Sequence, residues 1–363
     1  MMVNIKTEEA VLSKLISLYK RHGYKIYKPI CFEDYSLYLD NIDFLISKNV
    51  LTFSGAEGKL LALRPDVTLS IISHAQNIEG TQKLFYNEKV YRRSADGGEF
   101  KDINQAGVEV IGDIDVACEA EITMLIVDTL ATISDNYILD ISHMAYTEGL
   151  MSALNLKGDD KEQAYSYIRS KNIHDFLTFA HNKGLNSTAV NAFKLVINIC
   201  GDAQSSMKII HDCALNDDMR AAADELEQLT AILSDLGYIE KINIDFSIAN
   251  SADYYNGIIF NGYIDGVSKR VLSGGRYDKL LEKVGKAGGA IGFALYLGEL
   301  ERYFQSDKNF VDVLILYNCH TQYDALKLSA QILNGGKPVR ISKNIPEGLQ
   351  FGEIVELRGD NNV

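Results

Sequence analysis

Gln105 and Glu109 sit four residues apart in the run FKDINQAGVEVIG, residues 100–112. On a strand without a bulge, an even spacing puts both side chains on one face. An amide and a carboxylate on one face can hold a group that both donates and accepts hydrogen bonds. Arg92 lies in the preceding run, KLFYNEKVYRR, residues 83–93. Its guanidinium is a fork that fits a carboxylate or a phosphate. On spacing alone, a solvated sheet face with an ordinary scatter of charge is the simpler account of all three.

The surrounding residues indicate what must position them. An apolar strand ends at Arg64-Pro65-Asp66, and Thr68 opens an apolar-periodic run. Residues 83–93 and 100–112 read as two strands joined by a glycine-containing hairpin at residues 96–98. Pro65 and the hairpin glycines mark where the backbone turns.

The combination is more specific than the spacing. LRPD-x-T, YRR and INQAGVEVIG, in that order, resemble the core of class II aminoacyl-tRNA synthetases, and within them the histidyl-tRNA synthetase family. There an LRPE-x-T segment and an FRxE strand with its Q-x-x-x-E partner hold the amino acid and ATP. The resemblance implies an α+β fold: an antiparallel sheet flanked by helices, with a helical insertion and a small C-terminal α/β module.

The 363 residues, 47% hydrophobic and 23% charged, suffice for a large core and two or more domains. The net charge of -13 speaks against a nucleic-acid partner, which usually meets a basic face. Five scattered cysteines without a CxxC pair read as thiols of a reducing compartment, not as disulfides or a zinc site. The start MMVNIKTEEAV lacks a signal-peptide pattern, and no apolar run approaches the roughly 18 residues of a membrane helix. A cytoplasmic protein with no tRNA and no membrane partner is expected.

Residues 7–22 predict an amphipathic helix, capped by Thr7 and stopped by Gly23. Residues 24–32 alternate toward a strand around Pro29, which belongs at an edge or strand end. A helix followed by a proline-bearing strand resembles motif 1, the dimer interface of class II synthetases. Residues 116–133 predict a helix and 137–141 a strand. From about 147 to 240 strand signals vanish, and helices are expected over 161–170, 173–183, 190–200 and 218–236. This all-helical insertion falls where the histidyl family places its own. His174, His181 and His211 read as helix-surface residues, since no acidic or Cys partner sits at ligand spacing. Strands resume at 242–248, 257–263 and 269–273. A strand at 313–316, a helix at 323–333 and strands at 339–341 and 352–357 resemble the start of the synthetase anticodon-binding domain at shorter length. The expected domains are residues 1–305, carrying the insertion, and 306–363.

Two later segments extend the resemblance: IANSADYYNGIIF, residues 248–260, and LSGGRYDKLL, residues 272–281. Singly, Tyr254 and Tyr255 could be core aromatics and Gly274-Gly275 a tight turn. Together and in order they resemble LVRGLDYYTG and GGRYDGL of the histidyl-tRNA synthetases, whose tyrosines line the imidazole pocket. GAIGFALYLGEL, residues 289–300, resembles motif 3, AVGFAxGLERL.

Carried over by position, the resemblance implies a histidine pocket, vestigial or regulatory, of Asp66, Thr68, Arg92, Gln105, Glu109, Tyr254, Tyr255 and Tyr277, with a subunit interface as the other place for histidine. Asp66, Thr68 and Gln105 would take the α-ammonium, Glu109 the imidazole N–H, and Tyr255 and Tyr277 would close around the ring. The ATP chemistry looks dismantled. The motif 2 Glu falls on Ser94, the motif 2 loop Arg on Glu99, the Arg of LVRGLDYY on Asn250 and the motif 3 Arg on Glu299; Tyr296 replaces a motif 3 Gly. A carboxylate in place of a cation repels a triphosphate. This set matches the synthetase-like regulatory subunits of ATP phosphoribosyltransferase. That family implies no catalytic residue, no metal and no cofactor in this chain. It implies a hetero-octamer with a short-form catalytic subunit, a core that self-associates as a dimer, and histidine as effector of the first step of histidine biosynthesis. The alternative is an active histidyl-tRNA synthetase or another histidine-activating ligase.

Overall fold

β-Branched and aromatic residues on alternating positions favour a pleated, half-buried surface. Gln82–Arg93 and Phe100–Gly112 accordingly form the longest antiparallel pair, in register from Gln82 opposite Ile111 to Arg93 opposite Phe100. The computed structural model describes residues 8–45, 49–75, 80–93, 98–249, 254–301, 303–304 and 310–357. The chain divides into two units between Tyr303 and Phe304.

The first unit is built on a nine-stranded sheet. Its order is Lys25–Ile26, Gln82–Arg93, Phe100–Gly112, Gly289–Tyr296, Leu272–Arg276, Ile258–Ile264, Tyr137–His143, Ile242–Asp245 and Cys200–Asp202. Neighbours are antiparallel except Lys25–Ile26 with Gln82–Arg93 and Tyr137–His143 with Ile242–Asp245. Gly289–Tyr296 pairs one for one with Phe100–Gly112, from Gly289 opposite Gly112 to Tyr296 opposite Gln105. With no bulge on either side, Gln105 and Glu109 share a face. The helix Val116–Ile133 buries Ile122, Leu125, Ile126 and Leu130 over the sheet. The helix Glu8–Arg21 packs on it, with Tyr19 Oη 3.2 Å from Thr129 Oγ1. The Thr7 cap and hairpin residues 96–97 lie outside the described residues.

Three expectations are corrected. Residues 24–32 are not one strand: only Lys25–Ile26 joins the large sheet, and Phe32–Asp34 belongs to a separate sheet with Leu60–Leu63 and Thr52–Ser54. The chain between them is held by Arg64, 1% exposed, whose Nη1 donates to the carbonyls of Pro29 and Ile30 at 3.0 and 2.6 Å. Side-chain donors replace the strand partners that Pro29 interrupts. The insertion is not all helical either. Its helices include Gly158–Ser170, Ile173–Lys183, Ser187–Val196, Ala203–Asp212 and Asp217–Asp235, but Cys200–Asp202 is a strand pairing with Ile242–Asp245. Three residues are too few to show a period; an open sheet edge recruits them. Finally, the strand expected at 269–273 is Leu272–Arg276, so Gly274 and Gly275 lie in a strand rather than a turn. A Cβ on Gly274 would stand 2.1 Å from the Gly292 carbonyl, so close backbone approach is the reason for glycine there.

The second unit contains a parallel sheet in the order Val339–Ser342, Phe310–Leu316, Gln350–Glu356, with the helix Gln322–Asn334 against it over Val313, Ile315 and Ala325. Among the described residues no helix is long and apolar enough to cross a membrane.

Candidate functional site

The strand Leu60–Leu63 delivers Asp66 to the start of the helix Val67–His74. Asp66 Oδ1 accepts from the Leu69 amide at 2.9 Å, which caps the helix. Its other oxygen, Oδ2, takes Arg92 Nη2 at 3.3 Å, while Arg92 Nε donates to the Pro65 carbonyl at 2.7 Å. Both side chains are buried, so for Arg92 the solvated face that spacing alone suggested does not hold.

At the second residue of the helix, Thr68 Oγ1 donates to Glu109 Oε1 at 2.7 Å. The Tyr277 hydroxyl donates to Glu109 Oε2. Glu109 is 2% exposed, and burial pushes its carboxyl up to about 8, against the Tyr277 and Thr68 hydrogen bonds and with the nearby Asp66 charge. The folded chain therefore keeps a proton that the unfolded chain releases above about 4.5. Because the native state binds more protons, stability from this group falls as pH rises through that window, by about 1.4 kcal/mol per unit. Glu109→Gln is expected to flatten the slope. Between about pH 5 and pH 8 the wild-type stability should drop relative to the variant by roughly 3 kcal/mol, read from urea midpoints. A constant difference over that range would mean that Glu109 ionises as an ordinary carboxylate.

Tyr254, Tyr255 and Tyr277 form the opposite wall. Their ring centroids are 4.6 Å (Tyr254–Tyr255), 5.8 Å (Tyr254–Tyr277) and 6.5 Å (Tyr255–Tyr277) apart. Gln105, 3% exposed, sits at the end of the cavity beside Tyr296, whose hydroxyl is 2.6 Å from Ser273 Oγ. All eight residues expected in the pocket line one cavity of about 30 Å³. That is roughly the share of one water in the liquid. An amino acid seated there would lie against the tyrosine wall.

Among the described residues lining the cavity, Arg92 is the one cation, and Asp66 and Pro65 already hold it. Glu299 lies in the turn Leu297–Leu300 and takes Lys269 Nζ at 3.0 Å outside the cavity. Glu99 is exposed. Ser94 and Asn250 lie outside the described residues. Sequence reasoning missed Tyr86 and Gly292 as lining residues. Tyr86 had a signal, since it shares even spacing with Arg92 on an unbulged strand. Gly292 had none, because its role depends on the register that sets it opposite Glu109.

His211, for which no acidic or Cys partner sits at ligand spacing in the sequence, has two in space. The neighbouring helix brings Asp224 Oδ1 to 3.9 Å from Nδ1 and Glu227 Oε2 to 3.2 Å from Nε2. One ligand atom from each of His211, Asp224 and Glu227 lies within 4.8 Å of the others at a partly exposed site.

The antiparallel sheet and the pocket between strand 100–112, the capped helix and the tyrosine wall define a class II aminoacyl-tRNA synthetase-like protein. The chain belongs to the histidyl-tRNA synthetase family, whose profile, described as "Histidyl-tRNA synthetase", matches residues 3–300. It is 24% identical over 377 aligned positions to an ATP phosphoribosyltransferase regulatory subunit of Bacillus thuringiensis (strain Al Hakam), covering 98% of this chain and 89% of that protein. Among solved structures, an ATP phosphoribosyltransferase regulatory subunit/histidyl-tRNA synthetase from Bacillus halodurans C superimposes with a TM-score of 0.80 at 19% identity, covering 96% of this chain and 93% of that one. A chain of the ATP phosphoribosyl transferase (HisG:HisZ) complex from Thermotoga maritima does so with a TM-score of 0.62 at 19% identity, covering 79% and 96%.

Proposed function

We propose that this chain is a non-catalytic regulatory subunit of ATP phosphoribosyltransferase, acting in the cytoplasm with a short-form catalytic subunit in the first step of histidine biosynthesis. Its synthetase-like pocket binds histidine, and that binding feeds back on the partner's activity. The carrying observation is the chemistry of the cavity: a polar set suited to an amino acid, with its single described cation already committed. Adenylation would need cations to meet the phosphates, and none is free among those residues. Similarity to curated regulatory subunits over 98% of the chain supports the same reading.

The assembly is a hetero-octamer containing dimers of the synthetase-like core. Ile26, Ile30, Phe32, Leu39, Phe53 and Leu60 are large apolar side chains exposed near the motif 1-like segment, with the Phe32 and Phe53 rings 5.8 Å apart. Such a patch favours a protein contact. Residues 1–305 are the core, with 147–240 its insertion, and 306–363 are the C-terminal module; the division after Tyr303 supports this partition.

The test is phosphoribosyl-ATP formation by the short catalytic subunit alone, with this chain, and with this chain plus histidine. A rise in rate that histidine reverses is expected. No change in rate and no co-purification would sink the reading. Histidine-dependent pyrophosphate exchange by this chain would establish the synthetase alternative.

A further inference from the structure

Outside the pocket, four elements of the first unit bring together two buried ionisable groups, Glu119 and His143, and two partly exposed ones, Glu225 and Arg276. Glu119 comes from the helix Val116–Ile133, and Glu225 from the last insertion helix, Asp217–Asp235. His143 and Arg276 stand at the ends of their strands. Arg276 Nη1 donates to Glu119 Oε1 at 3.2 Å, and Glu225 Oε1 lies 3.2 Å from His143 Nε2. Glu119 is 0% exposed, and its Oε2 is buried with no hydrogen-bond partner. Burial, and then the Glu225 charge, push the Glu119 carboxyl up. A proton on Oε2 supplies the missing donor beside the Glu225 carboxylate.

Arg276 also belongs to a clasp. Its Nε donates to Asp278 Oδ2 at 2.8 Å, and its carbonyl accepts from the Asn256 amide at 3.0 Å. Asn256 closes the loop: Nδ2 donates to Asp278 Oδ2 at 3.0 Å, and Oδ1 accepts from the Asp278 amide at 2.8 Å. The Arg276 stem lies against Gly257, where a Cβ would stand 2.8 Å from its Cδ. Tyr255 immediately precedes Asn256, and Tyr277 lies between Arg276 and Asp278. Two of the three wall tyrosines are therefore one peptide bond from the clasp.

We propose that Arg276 is a positioning residue that ties the tyrosine wall of the pocket to the helical insertion through Glu119 and Glu225, so that an amino acid entering the pocket is felt by the helix Asp217–Asp235. This rests on the reading of the pocket as an amino-acid site. Tyr255 and Tyr277 line the cavity, so a ligand seated in it presses on the wall. The clasp leaves Tyr255 and Tyr277 little slack, so displacement moves Arg276. Losing the Arg276 hydrogen bond would leave Glu119 Oε1 a buried acceptor without a donor, so the carboxyl pair and the helix bearing Glu225 follow. Binding and helix position then become reciprocally linked.

The test uses the full chain with L-histidine as probe. Calorimetry gives the affinity, and amide hydrogen exchange follows Asp217–Asp235 with and without histidine. In the wild type, histidine should change protection of that helix. Glu225→Gln and Arg276→Lys should each abolish that change and shift the histidine Kd about five-fold or more. Gln keeps the shape of Glu225, and Lys keeps the charge of Arg276 but cannot reach two carboxylates at once. Lys83→Met, which removes a half-exposed pair with Glu121, should lower stability slightly and leave Kd and exchange unchanged. If the wild type binds histidine while both variants keep its Kd and its exchange response, the coupling is wrong and the pocket reading stands. If the wild type binds no histidine, the pocket reading falls and the coupling with it.

Discussion

Replacing Gly292 with alanine is expected to abolish histidine binding and to lower stability by about 3 kcal/mol. Gly292 faces Glu109 across the strand pair. A Cβ there would stand 1.8 Å from Glu109 Oε2 and 2.4 Å from the Val108 carbonyl. The backbone oxygen cannot yield without breaking the ladder, so the carboxylate must swing away. That strips Glu109 of the hydrogen bonds from Thr68 and Tyr277 and leaves a buried acid unsatisfied. Equilibrium urea unfolding and calorimetric titration with histidine measure the two effects. Gly298→Ala is the control: its Cβ would meet only Ile103 Cγ2, at 4.0 Å, and should change stability by no more than about 0.5 kcal/mol. Wild-type binding by the Gly292 variant would show that Glu109 does not floor the ligand site.

Arg92→Met should be strongly destabilising, at about 3–5 kcal/mol. The guanidinium satisfies both the Pro65 carbonyl and Asp66 Oδ2 within a buried site. Without it, Asp66 is an unpaired buried carboxylate that must still cap the helix Val67–His74. Asp66→Asn on the same background should restore a large part of the loss, because asparagine caps as well and carries no charge. A double-mutant cycle reads the coupling from unfolding midpoints. Strictly additive losses would mean that the Arg92–Asp66 contact contributes nothing to the folded state. Histidine affinity should fall in both single variants, since Arg92→Met removes a polar group from the cavity wall and Asp66→Asn removes a charge from it.

Much of this frame was legible in the residues. The bounds of the strand at 100–112 and of the helix at 116–133 came from local period, and the even spacing of Gln105 and Glu109 placed them on one face. Motif order pointed to the synthetase fold before any distance was known. The short strand Cys200–Asp202 and the shift of the strand 272–276 were not legible, because an edge partner and a close backbone approach decide them.

Period and capping are properties of the adjacent backbone, so a linear chain carries them in full. Burial, charge state and pairing are not. Glu109 receives one hydrogen bond from a residue 41 positions away and another from one 168 away. Its raised proton affinity exists only where those segments exclude water around it. The same holds for Arg92, an open fork in the sequence that folding commits to Asp66, and for His211, which gains two carboxylates from the next helix. The residue types at the site were fixed locally; what each could still offer a ligand was decided by the neighbours that folding brought.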